Sequence, residues 1–169
     1  EFEAIDITIN PITRLYYLKL ENITSDEFDN KTENIIHDLL KKDWSLDNIK
    51  LVCPLDKTTI KALYEAQGFT VAIRRNKELI ALWPDLKEKI YGAAIDIGST
   101  TIAINLCNLK DGTIASNQGS MNPQIRFGED LMSRVSYCMQ NPGSEKKLTK
   151  TVRKAINDLI KKACEHAGL

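Results

Sequence analysis

The residues best suited to chemistry form one short segment, Asp96-Ile97-Gly98-Ser99-Thr100-Thr101. Gly98 permits unusual backbone dihedral angles and lets the chain approach a ligand closely. The successive amides of a tight turn can converge on one anion, and the three hydroxyl side chains add donors without bulk. A carboxylate beside phosphates needs an intervening cation, so Asp96 predicts magnesium held through water. The segment therefore predicts a nucleotide triphosphate site.

The same residue types are common in ordinary turns, so a purely structural hairpin is the alternative interpretation. Asp96 favours the functional one, because an ionisable group inside the apolar run 91–97 costs free energy unless it has a partner or a role. The sequence contains no Gly-x-x-x-x-Gly-Lys-Ser/Thr pattern, which excludes a Walker-type phosphate loop.

The elements around this segment predict a β-β-β-α unit. The apolar run 91–97 predicts a buried central strand, and the β-branched run 101–107 predicts the strand beside it. Asp111-Gly112 is typical of a hairpin turn and leads into a third strand over 113–119. Apolar residues at helical spacing predict a helix over 130–139 and a long amphipathic helix from about 148 to 168.

The first ninety residues predict a separate α+β domain in the order strand, helix, strand, helix, strand, strand. One helix follows Thr32, and Asp56 caps a second helix of about ten residues. Gly68 is placed like the glycine that follows a helix. Residues 3–9 and 15–20 are candidates for extended structure before the first helix, and the later strands are predicted over 49–53, 69–74 and 79–83.

The composition is that of an ordinary globular protein, with 43% hydrophobic and 27% charged residues among 169. No apolar run is long enough to span a membrane, and 23 basic side chains balance 23 acidic ones, so neither a membrane nor a nucleic acid is expected as a partner. The four cysteines, at 53, 107, 138 and 164, form no close pair. A metal site built from cysteines is therefore not expected. Scattered free thiols indicate that the protein is located in a reducing cytoplasm. The basic excess over 145–162 is typical of a solvated helix face, and a surface for a nucleic acid or an acidic partner is the alternative.

A second motif follows the hairpin, Met121-Asn122-Pro123-Gln124-Ile125-Arg126-Phe127-Gly128-Glu129-Asp130-Leu131-Met132-Ser133-Arg134-Val135. Residues 91–119 resemble the first phosphate segment of the actin, sugar kinase and heat-shock chaperone ATPase superfamily. Together with the second motif, the chain over about 91–140 is similar to the reductive activators of corrinoid proteins. Those proteins carry Asn-Pro-Gln, then aromatic-Gly, then Asp and Ser-Arg, in this order after the phosphate hairpin.

The resemblance implies an α/β (α+β) fold. Residues 1–88 would be a small α+β middle domain, and residues 89–169 the truncated N-terminal part of a ribonuclease-H-like, ATPase-like domain. Asp96 would hold hydrated magnesium, while phosphate would be cradled by Gly98, Ser99, Thr100 and Thr101. No catalytic residue is predicted.

Four residues match the second motif and form a candidate secondary site, namely Gln124, Arg126, Asp130 and Arg134. The alternative is that Arg126 and Arg134 form ion pairs with Glu129 and Asp130 on an exposed loop and helix.

The resemblance also implies a parent protein in anaerobes that reduces an inactive corrinoid to Co(I), coupling electron transfer from a 2Fe–2S cluster to ATP hydrolysis. Its partner would be the corrinoid protein of a methyltransferase system. This chain has no clustered cysteines and lacks the second phosphate and adenosine segments. We therefore expect half of an ATP and magnesium site, no 2Fe–2S cluster and no activity in the fragment alone. The open alternatives are a dimerisation or partner-docking module without catalysis and a fragment of a sugar- or acetate-kinase-like phosphotransferase.

Overall fold

The structure, a computed structural model, describes residues 9–169. The strand predicted over 3–9 lies outside these residues except for its last position. The chain divides into two compact units. The first unit ends at Ile90 and also includes Leu109–Asp111, and the second comprises Tyr91–Asn108 and Gly112–Leu169.

The first unit contains a four-stranded sheet and two helices, in the predicted order. The spatial order of its strands is β1-β3-β4-β2, with antiparallel pairs except for the parallel pair β2–β4. Its elements are β1 Thr13–Lys19, α1 Ser25–Trp44, β2 Lys50–Leu51, α2 Lys57–Glu65, β3 Gly68–Arg74 and β4 Glu78–Pro84.

Helix α1 packs on this sheet because its apolar residues recur at helical spacing. Phe28, Ile36 and Leu40 are buried and share one core with Leu18 and Phe69 of the strands. Complete burial of such a side chain contributes about 1.5–3 kcal/mol. The helix predicted from Thr32 corresponds to the part of α1 after Lys31, whose backbone (φ −132°, ψ 23°) is not helical. The helical residues before Lys31 were not predicted, and the side chain of Thr24 caps them by accepting a hydrogen bond from the Glu27 amide.

Two local predictions for the first unit are wrong. Gly68 does not follow a helix as its C-terminal glycine, since Gln67 adopts the left-handed conformation (φ 55°) and Gly68 is the first residue of β3. A Cβ atom on Gly68 would collide with the hydroxyl group of Tyr17, the end of a partly exposed side chain that would have to move. The strand predicted over 49–53 is reduced to Lys50–Leu51.

The second unit is an antiparallel three-stranded meander followed by helices, as predicted. Its strand order is β5-β6-β7, and helix α4 packs on β6 and β7. Within residues 9–169 no helix combines the length and the apolar character that crossing a membrane requires. The elements are β5 Tyr91–Ile97, β6 Thr101–Asn108, β7 Ile114–Met121, a 3₁₀ helix Pro123–Phe127, α3 Leu131–Gln140 and α4 Glu145–His166.

Strand β6, not β5, is the central strand of this sheet. Ile102 and Ile104 alternate with less buried residues and pack against Leu159 of α4, which explains the buried face of β6. The prediction of a buried central strand over 91–97 is wrong, because among residues 9–169 β5 pairs only with β6. Ile97 of β5 is 53% exposed. A continuous apolar run normally marks a strand covered on both faces, and the described residues do not supply that cover.

Candidate functional site

The turn between β5 and β6, residues 98–101, lies on the surface of the second unit. The amide of Gly98 donates to the carbonyl oxygen of Thr101 at 2.8 Å and closes the turn. A Cβ atom on Gly98 would lie 2.9 Å from that same oxygen, so a larger residue would force the turn apart. Ser99, Thr100 and Thr101 are exposed. The β5–β6 turn therefore presents its hydroxyl side chains to solvent.

All four carbonyl oxygens of the β5–β6 turn accept hydrogen bonds from the chain itself. Peptide C=O and N–H groups point in opposite directions, so a turn with its carbonyl groups held on one side offers its amides on the other. Within residues 9–169, the amides of Ser99 and Thr100 have no hydrogen-bond acceptor. The four bonds are Gly98 N to Thr101 O, Asn122 N to Thr100 O at 2.7 Å, Asn122 Nδ2 to Gly98 O at 2.8 Å, and Arg134 Nη2 to Ser99 O.

Arg134 is a buried cation that contacts carbonyl groups. Only 7% of this residue is exposed. Besides Ser99, its guanidinium donates from Nε to the carbonyl oxygen of Gly128 at 2.9 Å and from Nη1 to Oε1 of Gln124 at 3.5 Å. No carboxylate among residues 9–169 lies within 4.0 Å of it. A buried charge without a counter-ion is unfavourable, and an anion held by the turn would relieve that cost.

Asn122 joins the turn to the 3₁₀ helix and is 1% exposed. Its Oδ1 accepts from the amide of Gln124 at 3.0 Å, while its Nδ2 holds the turn. Gln124 in turn donates from Nε2 to the carbonyl oxygen of Leu148 at 3.0 Å, which ties the network to α4. Asn122 belongs to the second motif, but the motif by itself indicates no role for it. Its place before Pro123 indicates a helix cap, but nothing local indicates a contact 24 residues away.

The proposed secondary site does not form as one cluster. The structure brings Gln124 and Arg134 together beneath the turn, but Asp130 caps α3, where its Oδ1 accepts from the Ser133 amide at 2.7 Å. This hydrogen bond lowers the pKa of Asp130. Arg126 lies elsewhere and donates to Oγ1 of Thr151 at 2.9 Å.

The alternative of surface ion pairs is also wrong. Neither Arg126 nor Arg134 has a carboxylate within 4.0 Å among residues 9–169, although Glu129 and Asp130 are close to them in sequence. The physical reason is that Arg134 finds three uncharged acceptors in the interior, and Arg126 finds a hydroxyl group on α4.

Asp96 lies on exposed strand β5, two residues before Gly98, with Ala103 as its cross-strand neighbour. The argument that burial of this carboxylate costs free energy is therefore wrong. No group of three metal-ligating side chains occurs among the described residues. A single exposed carboxylate suits a magnesium ion that keeps most of its water, since that ion needs few protein ligands.

Known proteins are similar in sequence to the part of the chain that carries this arrangement. Residues 91–169, which contain the turn, the second motif and α4, match the family model described as the RACo middle region. The match covers the whole of the second unit. Over 111 residues the chain is 33% identical to corrinoid activation enzyme RamQ of Eubacterium limosum, covering 63% of this chain and 19% of that protein. The resemblance to reductive activators of corrinoid proteins is confirmed.

The α+β fold extends over both units and is shared with a solved relative. A reductive activator for corrinoid,iron-sulfur protein matches with a TM-score of 0.70 and 25% identity, covering 98% of this chain and 27% of that one. The chain thus spans between 19% and 27% of these two relatives. In the second unit the second motif holds the β5–β6 turn from beneath.

Proposed function

We propose that this chain is part of an ATP-dependent reductive activator of a corrinoid protein, and that its β5–β6 turn binds the nucleotide phosphates. One observation carries the proposal. The turn has all its carbonyl oxygens engaged, two amides without acceptors, and the buried cation Arg134 behind it. Amides that lack an acceptor and lie in front of a positive charge favour the binding of a polyphosphate.

The side chains around the turn complete the binding surface for a phosphate. Gly98 allows the backbone to approach the ligand, and the hydroxyl groups of Ser99, Thr100 and Thr101 add neutral donors. Asp96 would orient the water shell of the magnesium ion that accompanies ATP. When bound, the nucleotide supplies a phosphoanhydride whose hydrolysis is coupled to an otherwise unfavourable electron transfer.

The remaining parts of the proposal concern the whole parent protein. Residues 89–169 would begin a ribonuclease-H-like ATPase domain, preceded by the small α+β domain of residues 1–88. The exposed edge of β5 fits this, since the relatives are several times longer than this chain. A 2Fe–2S cluster elsewhere in a cytoplasmic parent would supply the electron, and the corrinoid protein of a methyltransferase system would receive it. A homodimer belongs to the same proposal.

Two other functions fit less well. A docking module without catalysis gives no reason for the free amides over a buried arginine, and a sugar- or acetate-kinase-like enzyme would use the same phosphate turn. The relatives support the activator, because both carry names of corrinoid activation proteins.

Replacing Asp96 by Ala in the full-length protein tests the proposal. We expect ATP hydrolysis and ATP-dependent formation of Co(I) corrinoid, followed by absorption, to fall about 100-fold or more. Glu129→Gln removes an exposed carboxylate from the same unit and serves as the control, with activity close to that of the wild type. A folded Asp96→Ala protein that hydrolyses ATP normally would refute the assignment.

A further inference from the structure

A basic groove of about 570 Å³ lies within the second unit, between α4, the end of β7 and the 3₁₀ helix. No function assigned above uses it. Its lining carries five basic side chains and one acidic one, namely Arg126, Lys147, Lys150, Lys154, Lys162 and Asp158.

Most of this positive charge is not neutralised by the protein itself. Lys154 pairs with Asp158 at 2.7 Å. Lys147 lies 5.5 Å from the ring centre of Phe127. Apart from Lys154, the groove cations have no carboxylate within 4.0 Å among residues 9–169. The basic groove therefore presents a strong positive field to solvent, which favours a negatively charged partner.

The shape of the groove favours a chain rather than a small ion. Its basic residues extend along α4 from Lys147 to Lys162, about 22 Å at the helical rise of 1.5 Å per residue. An extended polypeptide covers that length with about seven residues. The wall also offers apolar surface, because Met121 lines it and is 71% exposed. Alternating acidic and apolar side chains would meet both kinds of surface.

We propose that the basic groove docks an extended acidic segment of a partner protein, with carboxylates on its lysines and an apolar side chain on Met121. A nucleic acid fits less well, because no aromatic side chain among residues 9–169 lines this groove to stack on bases. The balance of 23 basic and 23 acidic residues over the chain also argues against general binding to nucleic acid. This inference does not depend on nucleotide binding at the β5–β6 turn.

A labelled octaglutamate peptide, titrated with the full-length protein and followed by fluorescence anisotropy, tests the proposal. The wild-type protein should bind it in a salt-dependent manner. The double variant Lys147→Glu/Lys150→Glu should bind about tenfold more weakly or worse. The control Lys146→Glu/Arg153→Glu reverses the same number of charges on α4 outside the groove lining, and should change the affinity by less than about twofold.

Four outcomes would overturn the docking proposal. The first is failure of the wild-type protein to bind octaglutamate. The second is an equal loss of binding in both double variants, which would indicate a general electrostatic field rather than binding in the groove. The third is displacement of the labelled peptide by inorganic tripolyphosphate at a lower concentration than by unlabelled octaglutamate, which would indicate a site for a small anion. The fourth is stronger competition by a single-stranded oligonucleotide of equal charge than by unlabelled octaglutamate, which would indicate a nucleic acid as the partner. Thermal unfolding of each variant confirms that it is folded at the assay temperature.

Discussion

Nucleotide binding by the full-length protein is expected to fall about 100-fold or more when Arg134 is replaced by Met. The substitution removes the donor to the carbonyl oxygens of Ser99 and Gly128 and to the side chain of Gln124. Each buried acceptor left unpaired costs about 1–3 kcal/mol. It also removes the positive charge behind the free amides. Titration calorimetry with magnesium ATP, beside thermal unfolding, measures both effects.

Two matched variants separate the charge of Arg134 from its geometry. Arg134→Lys keeps the charge but loses the planar fork that reaches several acceptors, so its affinity should lie between those of wild type and Arg134→Met. Arg153→Met removes an exposed arginine from α4 and should bind nucleotide like the wild type. Wild-type affinity in folded Arg134→Met protein would show that the buried cation does not support the site.

A second large effect is expected from Gly128→Ala, which should destabilise the second unit by about 3 kcal/mol or more and weaken nucleotide binding. Gly128 has a φ of 154°, a conformation that other residues rarely adopt. A Cβ atom there would lie 2.7 Å from the backbone nitrogen of Arg134 and 2.6 Å from Oγ of Ser133. Relief of that clash must shift the start of α3 and with it the arginine. Denaturant unfolding and nucleotide titration of the full-length protein give the two readouts.

Gly143→Ala is the control for backbone strain alone. Gly143 also has a positive φ, 88°, but apart from its two chain neighbours no other residue among 9–169 has an atom within 4 Å of a Cβ atom built on it. Its substitution should cost no more than about 1–2 kcal/mol and leave nucleotide affinity unchanged. If Gly128→Ala behaved like Gly143→Ala in both measurements, the close packing of Gly128 against α3 would not position Arg134.

Local residue patterns were sufficient for much of the fold. The hairpin between β5 and β6, the Asp56 cap and the amphipathic period of α4 are all encoded within a few residues. The exposure of β5 could not be predicted from local residue patterns. Its apolar run has the same appearance whether or not other residues cover the strand, and burial depends on those other residues.

The candidate site shows the same division between local and distant information. The residue types of 98–101 indicate a turn able to bind an anion, because glycine and hydroxyl side chains act locally. The supporting contacts join residues far apart in sequence, 24 positions from Gly98 to Asn122 and 35 from Ser99 to Arg134. The second motif identifies residues in the sequence but not the partners they contact. A surface ion pair was therefore an alternative interpretation for Arg134.

Hydrogen–deuterium exchange of the full-length protein, with and without saturating magnesium ATP, tests most directly whether the amides of the β5–β6 turn hold the phosphates. Bound nucleotide should slow exchange of the Ser99 and Thr100 amides about tenfold or more, while the exposed turn at Arg75 and Asn76 in the first unit should be unaffected. Saturation of the protein with nucleotide and unchanged exchange at residues 98–101 would contradict the account.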